Sequence, residues 1–194
     1  MAWAEDALSA AEEMAGVFEA LGVRYLLGGS MAAAVWSVPR FTRDVDIVAD
    51  LESRHVEPLV AALGARWYAD ESMIRDAVAR RSSFNVIRFT HMVKVDVFVP
   101  PPEGFHASKW ARARHARLSA QSQRTVAITS PEDILLQKLA WFRSGGEVSE
   151  VQWRDVVALL RTLGGELDSD YLTAWSIRLD LAALLDRARR DAAS

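Results

Sequence analysis

The chain has 194 residues, is 51% hydrophobic and 25% charged, and carries a net charge of −3 at pH 7. It contains no cysteine, which excludes disulfides and thiolate metal sites, and no apolar run approaches the ~20 residues that cross a bilayer. So small a negative charge also excludes nucleic-acid binding driven by net charge, and any such contact has to come from a local patch.

Residues 5–21 place Leu8, Ala11, Met14, Ala15, Phe18 and Leu21 at helical spacing, and Gly22 stands where a helix C-cap is expected. The acidic start lacks the basic-then-apolar plan of a secretion signal. Together with the missing cysteines, it leads to the expectation of a cytoplasmic protein outside any membrane. "VRYLL" reads as a short buried strand ending at Gly28 and Gly29. Ser30 caps a short helix, "MAAAVWS", which Pro39 closes. "DVDIVAD" is the second strand. Helices are expected over 54–63, ended by Gly64, and over 71–80.

"SFNVIRFT" and "VKVDVFVP" read as antiparallel strands joined at His91 and Met92, without the Asn-Gly pair that tight hairpins favour. "PPPEG" is a loop, residues 106–122 show no assignable period, and "RTVAI" is a last short strand. "SPEDILLQKLAWF" then opens with a serine cap, proline at the first helical position and an acid at the third. "SEVQWRDVVALLRTLG" and "IRLDLAALLDRARRDAA" are further helices, separated by "GGELDSD". The fold class is therefore α/β: a mixed sheet over residues 1–128, then a helical bundle over 129–194 packed against it. Ligand sites favour the groove between such parts.

Asp44 and Asp46 sit inside an apolar strand. Alternation with period two places both on one face and sends Val45 and Ile47 to the other. Neighbouring carboxylates repel unless a cation lies between them, and a hard divalent ion such as Mg²⁺ suits oxygen ligands. Asp96 repeats the pattern in "VKVDVFV". If the two strands are neighbours, three carboxylates converge, a set able to hold two metals for phosphoryl chemistry. Lone acids on strands also mark exposed faces or sheet edges. The glycines weigh against that blander reading. Gly28, Gly29 and Ser30, at a strand end and helix start, let backbone amides approach a polyanion closely.

"LLGGSMAAAVWSVPRFTRDVDIV" resembles the signature of the DNA-polymerase-β-like nucleotidyltransferase superfamily, and "VKVDVF" resembles its third-acid strand. The form running from Arg40 to Asp46, and the tail "SPEDILLQKLAWF" followed by "WRDVVALL", look most like AbiEii-type toxins and related stand-alone bacterial proteins. The resemblance implies a nucleotidyltransferase-type fold. It also implies transfer of an NMP from an NTP with Mg²⁺ or Mn²⁺ as cofactor, ATP being one such nucleotide. Gly28, Gly29 and Ser30 would hold the triphosphate, with Arg43 and Lys138 reaching nucleotide phosphates. Asp44, Asp46 and Asp96 would be the catalytic and metal-ligating acids. The acceptor favoured is tRNA or a partner protein, with a cognate antitoxin as a further partner. An antibiotic nucleotidyltransferase and a non-catalytic binding protein are the alternatives.

Lys138 also reads as a solvated lysine on an amphipathic helix, and Asp155 as a solvated acid on the next. Arg40 and Arg43 either contact phosphate or balance the acids. Lys109, Arg112, Arg114, Arg117 and Arg124, with Trp110 among them, suit single-stranded nucleic acid, though such runs are more often solvated faces. The four histidines lack metal-ligand spacing.

Overall fold

The computed structural model describes residues 2–37 and 44–193. The chain divides into two compact units, residues 1–31 with 41–128 and residues 32–40 with 129–194. Pro39, Arg40 and Arg43, for which a helix stop and phosphate contacts are expected, lie outside the described residues.

In the first unit, helix α1 (Ala2–Ala20) buries the expected stripe, with Ala11, Met14, Ala15 and Phe18 almost inaccessible. Gly22, at φ 67°, is the left-handed residue of a Schellman turn. The Val23 amide bonds to the Phe18 carbonyl at 2.9 Å and the Gly22 amide to that of Glu19 at 3.1 Å. Strands β1 (Tyr25–Leu27) and β2 (Val45–Ala49) follow, and helix α2 (Gly29–Trp36), which lies between them in the chain, belongs to the second unit from Ala32 on. A 3₁₀ turn over Ser53–His55 then leads into α3 (Val56–Leu63), so the expected helix over 54–63 starts with a tighter turn. Next come β3 (Trp67–Tyr68), α4 (Glu71–Arg80), β4 (Ser83–Arg88) and β5 (Val93–Phe98). The segment without a readable period forms α5 (Gly104–Ala111) and β6 (Arg114–Ala116), before β7 (Val126–Ile128).

Among the described residues seven strands make one mixed sheet in the order β3-β4-β5-β2-β1-β7-β6. β2 is parallel to β5 and antiparallel to β1, while β1 is parallel to β7. Val45, Ile47, Val95 and Val97 are inaccessible, whereas Asp46, Val48, Asp96 and Phe98 are half-buried. α1 covers the apolar face. Phe18 stacks on Tyr25 at 5.9 Å between ring centroids, and Ser9 receives Arg88 Nη1 at 3.0 Å. Each aliphatic side chain buried there contributes about 1.5–3 kcal/mol. A one-residue slip would drive Asp46 or Asp96 into that core, so this face fixes the register.

The β4–β5 turn is made without glycine or asparagine: His91 (φ 63°) and Met92 (φ 51°) both adopt left-handed conformations. His91 Nδ1 lies 2.6 Å from Asp6 Oδ1, which anchors the turn to α1.

The second unit contains α6 (Pro131–Ser144), α7 (Glu150–Leu163), α8 (Ser169–Arg178) and α9 (Ala182–Ala193). Ser130 caps α6 as expected, its Oγ accepting the Asp133 amide at 3.2 Å and donating to Asp133 Oδ2 at 2.8 Å. The single helix expected over 177–193 is instead the end of α8 and all of α9. Asp180, at φ 57°, ends α8, and the Leu181 amide reaches back to the Ser176 carbonyl at 2.6 Å. This is a Schellman turn with aspartate where glycine is usual, so no sequence punctuation announces it. Trp153 ties three helices together. Its ring lies 4.9 Å from that of Phe142, its Nε1 donates to Asp191 Oδ2 at 3.0 Å, and Arg187 stacks over it at 4.4 Å.

Candidate active site

The pairing of β1 with β2 sets Leu27 beside Ile47. The chain then carries Gly28 alongside Asp46, where its amide donates to the Asp46 carbonyl at 2.8 Å. On the other edge of β2, the parallel ladder sets Asp46 opposite Asp96, and the β4 ladder sets Asn85 opposite Asp96. Gly28, Asp46, Asp96 and Asn85 thus form a row on the sheet face turned away from α1. Successive residues of a strand alternate faces, and the apolar partners Val45, Ile47, Val95 and Val97 occupy the other one.

The turn from β1 into α2 is shaped by one close approach. Gly29 has φ 57°, and a Cβ built on it would overlap the Asp46 carboxylate. Glycine therefore lets the acid lie against the first turn of α2. The first amides of a helix lack partners within it and carry partial positive charge, which suits anions. Gly28 and Gly29 are buried and Ser30 is half-exposed at this same turn.

Asp44 directly precedes β2 and is exposed. It stands one residue before Val45, as Lys94 stands one residue before Val95, and Val45 and Val95 are register partners. Asp44 and Asp46 on one side thus stand across the ladder from Lys94 and Asp96 on the other. Lys94 Nζ is 2.7 Å from Asp96 Oδ2. That hydrogen bond, followed by the attraction of Asp96, Asp44 and Asp46, holds the ammonium pKa above the usual lysine value despite some desolvation.

Among the described residues no three acidic or histidine side chains are gathered tightly enough to cage a metal ion. Asp96 instead faces the ammonium. The donor set still suits a hard divalent cation: carboxylate oxygens on adjacent strands, beside a turn shaped by a glycine whose Cβ would fill the approach.

In the second unit, Lys138 is not the solvated lysine its helix period allows. It is fully buried, with Nζ 2.7 Å from Asp155 Oδ2 and 3.1 Å from Gln152 Oε1. Asp155, also readable as a solvated acid, is 7% exposed. Burying an ion pair is costly unless its geometry is good, so such a pair is weak evidence for stability and invites a functional explanation.

The basic run does not form a uniform patch. Lys109 is buried with its Nζ 4.4 Å from the Phe105 ring centroid, and Arg124 pairs with Glu19. Arg24, from outside the run, covers Trp110 at 5.3 Å. Arg114 and Arg117 are exposed.

Lys94, Asn85 and Gln152 join these clusters without having been singled out from sequence. Lys94 was legible, since period two puts it on the face of Asp96. Asn85 was not, because only the β4–β5 register brings it beside that acid.

No family model matches the chain, nor does any curated protein. Among solved structures, that of the antibiotic-resistance factor ANT(2'')-Ia is similar, with a TM-score of 0.57 at 18% identity, over 96% of this chain and 99% of that one. An antigenic nucleotidyltransferase-like protein from Paracoccidioides brasiliensis is similar with a TM-score of 0.51 at 17% identity, over 96% of this chain and 94% of that one. The chain has the nucleotidyltransferase-type fold, a mixed sheet with helices.

Proposed function

We propose that the protein is a Mg²⁺- or Mn²⁺-dependent nucleotidyltransferase that moves an NMP from an NTP to an acceptor and releases pyrophosphate. The observation that carries this reading is the register of Asp46 with Asp96, beside a glycine turn that admits the Asp46 carboxylate to the start of α2. Asp44, Asp46 and Asp96 would hold the metal. Once bound, it supplies charge neutralisation on the phosphates and acidifies the attacking hydroxyl.

The chain's own groups divide the remaining work. The Gly28–Gly29–Ser30 turn binds the triphosphate through backbone amides and the serine hydroxyl. Asp46 would help hold the metal beside the α-phosphate, and Asp96 receives the acceptor's proton on a carboxylate oxygen. The acceptor oxygen bonds to the α-phosphorus as the bond to the bridging oxygen breaks, and pyrophosphate leaves in line. Arg43 and Lys138 are assigned to nucleotide phosphates, Lys138 after exchanging its Asp155 partner.

For the acceptor, the likeness of residues 40–46 and of the helical tail to AbiEii-type toxins supports tRNA or a partner protein. In that case the protein is the toxin of a toxin–antitoxin pair. A small-molecule acceptor is the second reading, favoured by the near end-to-end overlap with an antibiotic-resistance factor. The pairing of Arg124 and the burial of Lys109 also remove two cations from the surface a polyanion would use. The test is to incubate the protein with each labelled NTP, Mg²⁺, and either total RNA, a lysate or an antibiotic panel. Label in RNA or protein supports the first acceptor class, and label in an antibiotic alone supports the second. No transfer with any nucleotide, or full transfer by Asp46→Ala, would overturn the enzymatic reading.

A further inference from the structure

We propose that Lys94 is an internal counter-cation that occupies Asp96 when no metal is bound and must be displaced for the metal to enter. The inference rests on the metal-dependent reading above. Neighbouring carboxylates are mutually repulsive, yet Asp46 and Asp96 are register partners in an unbroken β2–β5 ladder, with Asp44 one residue before it. The ammonium of Lys94 offsets the charge of Asp96, at 2.7 Å from its Oδ2 and in the position across from Asp44. Its side chain is 46% exposed and that of Asp96 is 23% exposed. The contact is therefore reachable from solvent, and the lysine stem has room to swing away. Lys138, paired with Asp155, differs in that its side chain is 1% exposed.

An ammonium tethered two residues from its carboxylate competes with a divalent ion at a high local concentration. Metal alone has to break the Lys94–Asp96 contact and leave the ammonium without its partner. Metal arriving with a nucleotide brings phosphate oxygens, which can take the released ammonium. Lys94 would thus make metal and nucleotide bind as a pair and keep the metal from settling in the site by itself. Such coupling is reciprocal: whatever nucleotide does for metal affinity, metal does for nucleotide affinity. The residue acts through Asp96, as a positioning group.

The test measures Mn²⁺ affinity by electron paramagnetic resonance, with and without an ATP analogue whose α–β bridge cannot be cleaved. Wild type, Lys94→Met, Lys94→Arg and Asp96→Asn are compared, and thermal melts verify that each is folded. Lys94→Met is expected to bind Mn²⁺ alone about tenfold more tightly than wild type, the scale of one close charge pair at a partly exposed site. Lys94→Arg, which keeps the cation, is expected to stay near wild type. The analogue is expected to tighten Mn²⁺ binding more in wild type than in Lys94→Met. Equal or weaker Mn²⁺ binding by Lys94→Met, with Asp96→Asn impaired, would overturn the counter-cation role while leaving the metal site standing. Mn²⁺ binding to Asp96→Asn equal to wild type, with and without the analogue, would overturn the metal site and this inference with it.

Discussion

Asp46 and Asp96, about fifty residues apart in the chain, are register partners on adjacent parallel strands. Neither acid is held by local sequence; the ladder between β2 and β5 brings them together. With Gly29 against Asp46 and Lys94 on Asp96, this pair is the centre of the proposed site.

Metal and nucleotide together are expected to stabilise the fold. At a hundredfold excess over the dissociation constant, a ligand that binds only the native state adds about 2.7 kcal/mol. For a chain of this size that is a rise in Tm of roughly 5–10 °C. Asp44→Asn and Asp46→Asn are expected to abolish most of the rise, measured by thermal melts with Mg²⁺ and each NTP. Equal shifts in mutant and wild type would remove these acids from the site.

Gly29→Ala is expected to impair both stability and ligand binding. A left-handed conformation costs an L-residue about 1–2 kcal/mol, and the new methyl must also push the Asp46 carboxylate aside. Gly22→Ala is the control, since Gly22 is also left-handed but nothing lies within 4 Å of its added Cβ. Denaturant titrations are expected to show a loss for both, and nucleotide-dependent stabilisation a loss for Gly29→Ala alone.

Lys138 and Asp155 lend themselves to a double-mutant cycle. Removing one member of a buried pair leaves a charge without its counterpart, which typically costs 3–5 kcal/mol. Lys138→Met and Asp155→Leu are each expected to lose stability on that scale. The double variant is expected to recover most of it by urea denaturation, since apolar replacements of buried pairs are often tolerated. If the pair serves nucleotide binding, transfer activity stays lost in the double variant although the fold returns.

His106 provides a pH test of α5. Burial, and then the charge of Lys109, hold its pKa below the usual imidazole value of 6.5. The folded state therefore binds this proton less readily than the unfolded chain. Stability is unaffected well above pH 6.5 and falls as pH drops through 6.5 towards the folded value. His106→Gln is expected to flatten the slope of Tm against pH between 7.5 and 5.5. A slope identical to wild type would show that His106 does not carry it.

The strands bearing Asp46 and Asp96 were legible because their apolar alternation is undisturbed, and α6 because serine, proline and acid stand at its first positions. α8 was not, since Asp180 takes a conformation that sequence habits reserve for glycine. The segment holding α5 and β6 was equally opaque. Its basic residues suggest a solvent-facing run, yet Lys109 is buried beneath Phe105. The buried Lys138–Asp155 pair could not be read either, because whether a lysine on a helix is solvated depends on which helix packs across it. Period shows which residues share a face; it does not show what that face meets.

The ladder order also bears on how the chain folds. β1 to β5 all lie within residues 25–98, and five adjoining strands of the sheet come from that stretch alone. β7, by contrast, joins β1 through Leu27 and Ile128, closing a loop of about a hundred residues. Loop-closure entropy rises with the logarithm of length, so the acid pair closes its loop at a cost about 0.6 kcal/mol below that of the β1–β7 contact. Contacts of such long range slow folding. The acids can thus meet while the chain from β6 onward is still being synthesised, and a nascent chain can carry its full set of carboxylates before its sheet is complete.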